Sequence, residues 1–187
     1  PSDERTPLHT RLDVHALLLD PTRLVSAALL TQPTDAVDTH VDDPLGDVVD
    51  VIAVNQYLGR NYGARDGIAD SRWSTPFDKP VIFTEMGGGA KHGHRGEPEE
   101  IWTEEFQAAI YREQVDMVDA NRSDLGLGVV AGMSPWILKD FRAPVRVLPG
   151  IQDGYNRKGL VSEEGERKLA FDVLRSYYER LRPVQHG

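Results

Sequence analysis

The chain contains no cysteine, so neither disulfides nor thiolate chemistry can support its fold or its function. No apolar run approaches the roughly 20 residues a membrane-spanning helix requires. Basic residues are in deficit: 21 Lys and Arg face 30 Asp and Glu, for a net charge of −9 at pH 7. That balance denies nucleic acid and anionic membranes the broad basic face they need. A small anionic substrate, held by two or three local cations, remains compatible with it. Pro1-Ser2-Asp3-Glu4-Arg5 shows no signal-peptide pattern, so nothing reports secretion; the compartment is unknown, with the cytoplasm slightly favoured. Internal repeats and Gly-x-Ser-x-Gly elbows are also missing, which leaves a serine hydrolase of the α/β type unsupported. Gly87-Gly88-Gly89 is no phosphate loop, because no Gly-Lys-Ser/Thr follows it. Lys91-His92-Gly93-His94 offers two histidines without a third ligand at helical or strand spacing. The expectation is therefore no metal and no cofactor.

What is present is ordinary for a globular protein: 187 residues, 40% hydrophobic and 27% charged, enough for one domain with a core. Leu8, Leu12, Ala16 and Leu19 mark one helical face, which Asp20-Pro21 ends. Residues 24–30 read as a strand, 31–47 as a polar connection, and 48–57 as a second strand whose core is Asp50-Val51-Ile52-Ala53-Val54. Residues 59–78 read as a loop with room for a short helix. Thr103 caps a helix with Phe106, Ala109, Ile110 and Met117 on its face, and Glu104 and Glu105 suit its first turn. Residues 126–133 form a fourth strand. Ala170, Val173, Leu174, Tyr177 and Leu181 line a last helix, which Pro183 follows. Strands separated by connections long enough to cross back in parallel indicate an α/β fold with a parallel sheet. Four strands are too few for a closed (β/α)₈ barrel, which takes about 250 residues.

The densest signal is Lys79-Pro80-Val81-Ile82-Phe83-Thr84-Glu85-Met86-Gly87-Gly88-Gly89. Val81, Ile82 and Phe83 read as a strand buried on both faces, and Pro80 opens it where a missing N–H costs least. Glu85 closes it. A carboxylate there is either catalytic, as at the C-terminal mouth of a parallel barrel, or has merely reached solvent. Asn55 and Tyr57 end the preceding strand, and Ser134, Trp136 and Asp140 follow the next. Taken singly, Tyr57 and Trp136 are equally well core aromatics with a satisfied polar tip, and Asn55 a turn residue. In a parallel sheet, however, all these ends share one rim, and a chance gathering of carboxylate, phenol, amide and indole is the weaker account.

From about Leu12 to Leu181 the chain resembles the C-terminal half of the catalytic barrel of glycoside hydrolase family 2, the β-glucuronidase and β-galactosidase family. The segments that carry the resemblance are, in order, Leu19-Asp20-Pro21-Thr22-Arg23, Asp50 through Gly59, Lys79 through Glu85, Trp102-Thr103-Glu104-Glu105-Phe106-Gln107, Ser134-Pro135-Trp136-Ile137-Leu138-Lys139-Asp140-Phe141-Arg142 and Asn156-Arg157-Lys158-Gly159-Leu160. The implied fold is α/β: strands five to eight of a TIM barrel, parallel, with outer helices. Residues 1–187 would be one partial catalytic domain, with the N-terminal half of the barrel and the upstream β-domains absent.

The resemblance assigns Glu85 the role of nucleophile in a retaining glycosidase, and Tyr57 a hydrogen bond to that carboxylate. Trp136 would floor the sugar pocket, with a cis peptide after it in many family members, and Asn55 would line the same site. The family's acid/base residue comes from an Asn-Glu pair at the end of strand four. No Asn-Glu pair occurs in these 187 residues. The expectation is a fragment, inactive alone, exposing barrel edges through which copies could associate.

Asn156-Arg157-Lys158 resembles the Asn-x-Lys element by which β-glucuronidases grip the sugar carboxylate, where amide and ammonium donors form charge-assisted hydrogen bonds. The bland alternative is that Lys158 is one solvated lysine. Arg142 or Arg146 would be a further cation, without a firm alignment for either. The expected substrate is a small carbohydrate, a glucuronide in preference to a galactoside. The connection from Phe141 to Asn156, longer than in typical glucuronidases, keeps β-galactosidase as the first alternative. A non-catalytic carbohydrate-binding half-barrel is the second.

Overall fold

Stretches rich in Val, Ile and Ala between turn residues favour short buried strands. Four of them pair into one parallel sheet in the computed structural model, which describes residues 5–33, 38–59 and 67–182. In chain order the elements are α1 (Arg5–Leu19), β1 (Ser26–Ala28), β2 (Gln32–Pro33), β3 (Thr39–His40), a 3₁₀ turn (Pro44–Asp47), β4 (Val51–Asn55), β5 (Trp73–Ser74) and β6 (Val81–Glu85). Then come α2 (Glu104–Ala120), β7 (Val130–Met133), β8 (Phe141–Arg142), β9 (Tyr155–Asn156) and α3 (Leu169–Leu181). The described residues contain no helix long and apolar enough to cross a membrane. The short helix allowed for in residues 59–78 falls partly on 60–66, outside the described residues, as does Pro183.

The chain divides into two compact units. The first comprises residues 1–56, 70–85 and 118–134. Its main sheet has the order β1-β4-β6-β7, all parallel. Each strand thus lies beside the next long strand in sequence, as expected of parallel strands joined by crossovers. A smaller sheet, β2-β3-β5, is built from the connections. Core side chains include Ile52, Val54, Val81 and Phe83, all fully buried, and the Trp73 ring meets Phe83 edge-on at 4.7 Å. Asn121, at the end of α2, secures this core by accepting from Trp73 N at 3.0 Å and donating to Ser71 O at 2.8 Å.

Two expectations change here. β6 is not buried on both faces: Val81 and Phe83 are fully buried, while Ile82 and Thr84 are half-buried. Alternate side chains point to opposite faces, and only one face is fully covered. Helix α1 forms where its spacing predicts and ends at Asp20, whose N–H donates to Ala16 O at 3.0 Å. Its leucine face is nevertheless open, with Leu8 56%, Leu12 54% and Leu19 74% exposed. The helix is tied instead by polar groups: the Arg5 guanidinium pairs with the buried carboxylate of Asp43, which also caps the 3₁₀ turn through Leu45 N.

The second unit comprises residues 57–69, 86–117 and 135–187. Thr103 caps α2 as predicted, its Oγ1 accepting from Phe106 N at 3.1 Å. Phe106, Ala109, Ile110 and Met117 are buried, as their spacing requires. On α3, Ala170, Leu174 and Tyr177 are buried. β8 and β9 pair antiparallel.

Candidate active site

Parallel strands deliver their last residues to one end of a sheet, and a chemical site is sought there first. In the first unit that end carries Asn55 and Glu85, which are register partners on adjacent strands. The register slips by one residue between Val54 and Asn55, a bulge of the kind that re-aims side chains at strand ends. Asn55 is exposed and its Oδ1 accepts from Thr84 Oγ1 at 2.9 Å. Gln56 N donates to Glu85 O at 2.8 Å, which fixes the backbone at the carboxylate. The Glu85 side chain is half-buried.

The second unit holds Tyr57, Trp136, Asn156 and Lys158, and it brings Tyr57 and Asn156 into contact with Lys158. Lys158 lies with its ammonium 4.4 Å from the centroid of the Tyr57 ring, a cation–π contact. Asn156 is buried and its Oδ1 accepts from Lys158 N at 3.2 Å, so one end of its amide shapes the turn that carries the lysine. Lys158 O in turn accepts from Ile137 N at 3.1 Å. Trp136 precedes this contact; its N–H donates to Met86 O at 2.9 Å and the Trp136–Ile137 peptide is cis. The indole meets Phe141 edge-on at 6.3 Å. Arg142 stacks on Tyr155, 5.1 Å from its centroid.

Beneath that turn lies a cluster of buried charge around Asp140, which the sequence placed on the strand-end rim and which instead lies fully buried. Lys168 and Asp140 have fully buried side chains and pair at 2.8 Å. Arg157, almost as buried, reaches Asp140 Oδ2 at 3.3 Å and also pairs with Glu163. Asp140 accepts further from Gly159 N at 2.7 Å. Burial pushes the Asp140 carboxyl up and the Lys168 ammonium down, and each is opposed by the other's charge. Lys168 was passed over in the sequence; its one signal there was its place at the N-cap of α3, which favours Ser, Thr, Asp or Asn. Gln107 is a second omission: its Nε2 donates to both Gly88 O and Gly159 O at 3.1 Å, tying the glycine run after Glu85 to the Lys158 turn.

The second unit also has a cavity of about 610 Å³ lined by Pro135, Leu138, Leu160, Phe171, Leu174 and Tyr178 together with the charged residues Arg175, Glu179 and Arg182. The cavity contains none of the residues that the sequence marks as a site, whereas the Lys158 turn brings together three of them, Tyr57, Asn156 and Lys158.

Comparison with known proteins places these features in context. No family model matches the chain. β-Glucuronidase of Rattus norvegicus is 30% identical over 188 residues, spanning 94% of this chain and 26% of that protein. β-Glucuronidase of Paenibacillus borealis is 27% identical over 96% of this chain and 29% of its own length. The chain thus spans about a quarter of the curated relatives it matches. Among solved structures, the GH2 β-galacturonidase of Eisenbergiella tayi bound to galacturonate superposes with a TM-score of 0.74 at 23% identity, covering 97% of this chain and 31% of that one. The β-D-glucuronidase of Dictyoglomus thermophilum gives 0.68 at 21% identity, over 95% and 30% respectively.

Proposed function

We propose, from a chain that is a homologue of the family 2 β-glucuronidases with a parallel α/β fold like theirs, that it forms strands five to eight of a retaining β-glucuronidase barrel. The observation that carries the reading is Glu85 at the C-terminal end of a parallel strand, level with Asn55 on its neighbour. Residues 1–187 are then one partial catalytic domain, and β1, β4, β6 and β7 are the barrel strands. The open leucine face of α1 and the outer edges of β1 and β7 are surfaces that the rest of the barrel would cover. Self-association of this segment by itself, through those edges, belongs to the same proposal.

In this reading a Glu85 carboxylate oxygen attacks the anomeric carbon as the bond to the aglycone oxygen breaks. A general acid protonates the departing oxygen. Water then attacks the glycosyl ester while that group, now a base, takes its proton, so Glu85 is released and configuration is retained. The second carboxyl must lie about 5–5.5 Å from the first. With no Asn-Glu pair in the sequence, it has to come from elsewhere in the protein, and these 187 residues alone should not turn over. The resemblance assigns Tyr57 a hydrogen bond to the nucleophile, Trp136 the floor of the sugar subsite, and Asn55 a place in its lining. Asn156 and Lys158 receive the sugar carboxylate.

Glu85→Gln in the intact protein is the test. It should lower kcat for a β-glucuronide by roughly a thousandfold or more while sugar binding persists; unchanged turnover removes Glu85 from the mechanism. Substrate class is tested by Lys158→Ala, which should raise KM for the glucuronide and spare a neutral galactoside. A galactoside cleaved far faster than the glucuronide, at a rate indifferent to Lys158, selects the β-galactosidase alternative. Sugar binding without any turnover in the intact protein selects a carbohydrate-binding module.

A further inference from the structure

The Lys158 turn is held from below by buried charge. On one side of Lys158, Arg157 O accepts from Lys168 Nζ at 3.3 Å and from Ala90 N at 2.9 Å. On the other side, Gly159 N donates to Asp140 Oδ1 at 2.7 Å and Gly159 O accepts from Gln107 Nε2. Lys168 Nζ also reaches Ala90 O at 2.6 Å and both oxygens of Asp140 at 2.8 and 2.9 Å. Position 159 tolerates no larger residue, since a Cβ there would fall 2.3 Å from Asp140 N and 2.5 Å from its Oδ1. The Arg157 side chain completes the clamp, donating to Asp140 and, from Nε, to Ile151 O at 2.9 Å.

Two opposite charges this deeply buried are a costly way to gain stability, because their desolvation roughly cancels their attraction, and apolar replacements of like volume often do as well. What the ion pair supplies that apolar packing would not is direction. It grips the main chain immediately before and after Lys158, so the lysine side chain leaves a backbone fixed on both sides. The Tyr57 ring then fixes the far end of that side chain.

We propose that Asp140 and Lys168 are positioning residues that set where Lys158 presents its ammonium, and hence the preference for a sugar bearing a carboxylate. The inference rests on the glucuronidase reading of Lys158. Neither residue touches the sugar.

The test compares Lys168→Met, Asp140→Asn and Lys158→Ala in the intact protein, with kcat and KM measured for a β-glucuronide and for the β-glucoside of the same leaving group. Both clamp variants should lower kcat/KM for the glucuronide by about tenfold or more, the loss of one charge-assisted contact. The loss should fall mainly on KM, and the glucoside should change by less than about threefold. Circular dichroism and thermal unfolding establish that each variant is folded. Should Lys168→Met fail to fold, the near-isosteric Asp140→Asn decides. An equal loss on both substrates, or an unchanged ratio where Lys158→Ala lowers it, overturns the inference and leaves the clamp a purely structural one. If Lys158→Ala itself leaves the ratio unchanged, the glucuronidase reading fails first and takes this one with it.

Discussion

Lys158 rests its ammonium on the face of Tyr57, 4.4 Å from the ring centroid. One tyrosine thereby offers two separable functions: a phenol oxygen for hydrogen bonding and a π face for a cation. Tyr57→Phe keeps the face and removes the oxygen. It should lower kcat on charged and neutral sugars alike while KM for a glucuronide stays within about twofold. Tyr57→Ala removes both, and should additionally raise that KM by about two- to fivefold, the worth of a partly exposed cation–π contact. Steady-state kinetics of the two variants decide the matter. Equal KM values would mean that the ring does not hold the lysine.

Gly87 follows β6 by two residues and has φ +122°. A Cβ there would lie 2.1 Å from Tyr111 Oη and 2.4 Å from its Cζ. Tyr111 is fully buried, with its hydroxyl pushed up and kept neutral by burial, and it donates to Met86 O at 3.3 Å. Gly87→Ala therefore meets both a backbone penalty and a steric one, and should cost about 2–4 kcal/mol. Tyr111→Phe, which loses one hydrogen bond, should cost about 1 kcal/mol. Urea unfolding measures both, and a Gly87→Ala protein as stable as the wild type would contradict the geometry.

Asp43 makes stability depend on acid. Burial raises its pKa, but the Arg5 guanidinium and the N–H groups of Leu45 and Leu30 outweigh this and hold the carboxyl below its ordinary value of 3.8. A proton therefore binds the unfolded chain more readily than the folded one. The contribution is full above about pH 3.8 and is lost as pH falls through the depressed folded value. Asp43→Asn should cost about 1.5–3 kcal/mol at neutral pH, and the difference from wild type should shrink below about pH 3.8. A gap that is the same at neutral pH and at about pH 2.5 would show that the charge is not what holds Arg5.

Legibility of the fold from sequence followed the kind of information each element needed. α2 was readable because its start and its buried face are local: Thr103 caps it, and Phe106, Ile110 and Met117 recur at helical spacing and are buried. α1 was readable as a helix but not as a packed one, since periodicity aligns Leu8, Leu12 and Leu19 without saying what, if anything, covers them. The strands came out shorter than read, because apolar composition continues past the point where ladder hydrogen bonds stop. At the candidate site, Tyr57, Asn156 and Lys158 were visible as residue types in a motif, and their mutual contacts are tertiary facts. Lys168 and Asp140 were least visible. The buried ion pair joins positions 28 residues apart; Asp140 stood out only as a strand-end residue and Lys168 only as an unusual N-cap, and nothing local links the two.

The all-parallel order β1-β4-β6-β7 bears on how the chain reaches this state. Partners Ser26 and Val51 are 25 residues apart, Ile52 and Val81 are 29 apart, and Val81 and Val130 are 49 apart. No hairpin seeds the main sheet, so every ladder must first close a long loop, an entropic toll that slows the search. The order of loop lengths puts pairing of β1 with β4 earliest and pairing of β7 last when the full chain refolds, so β7 is the strand left longest without its ladder in that process.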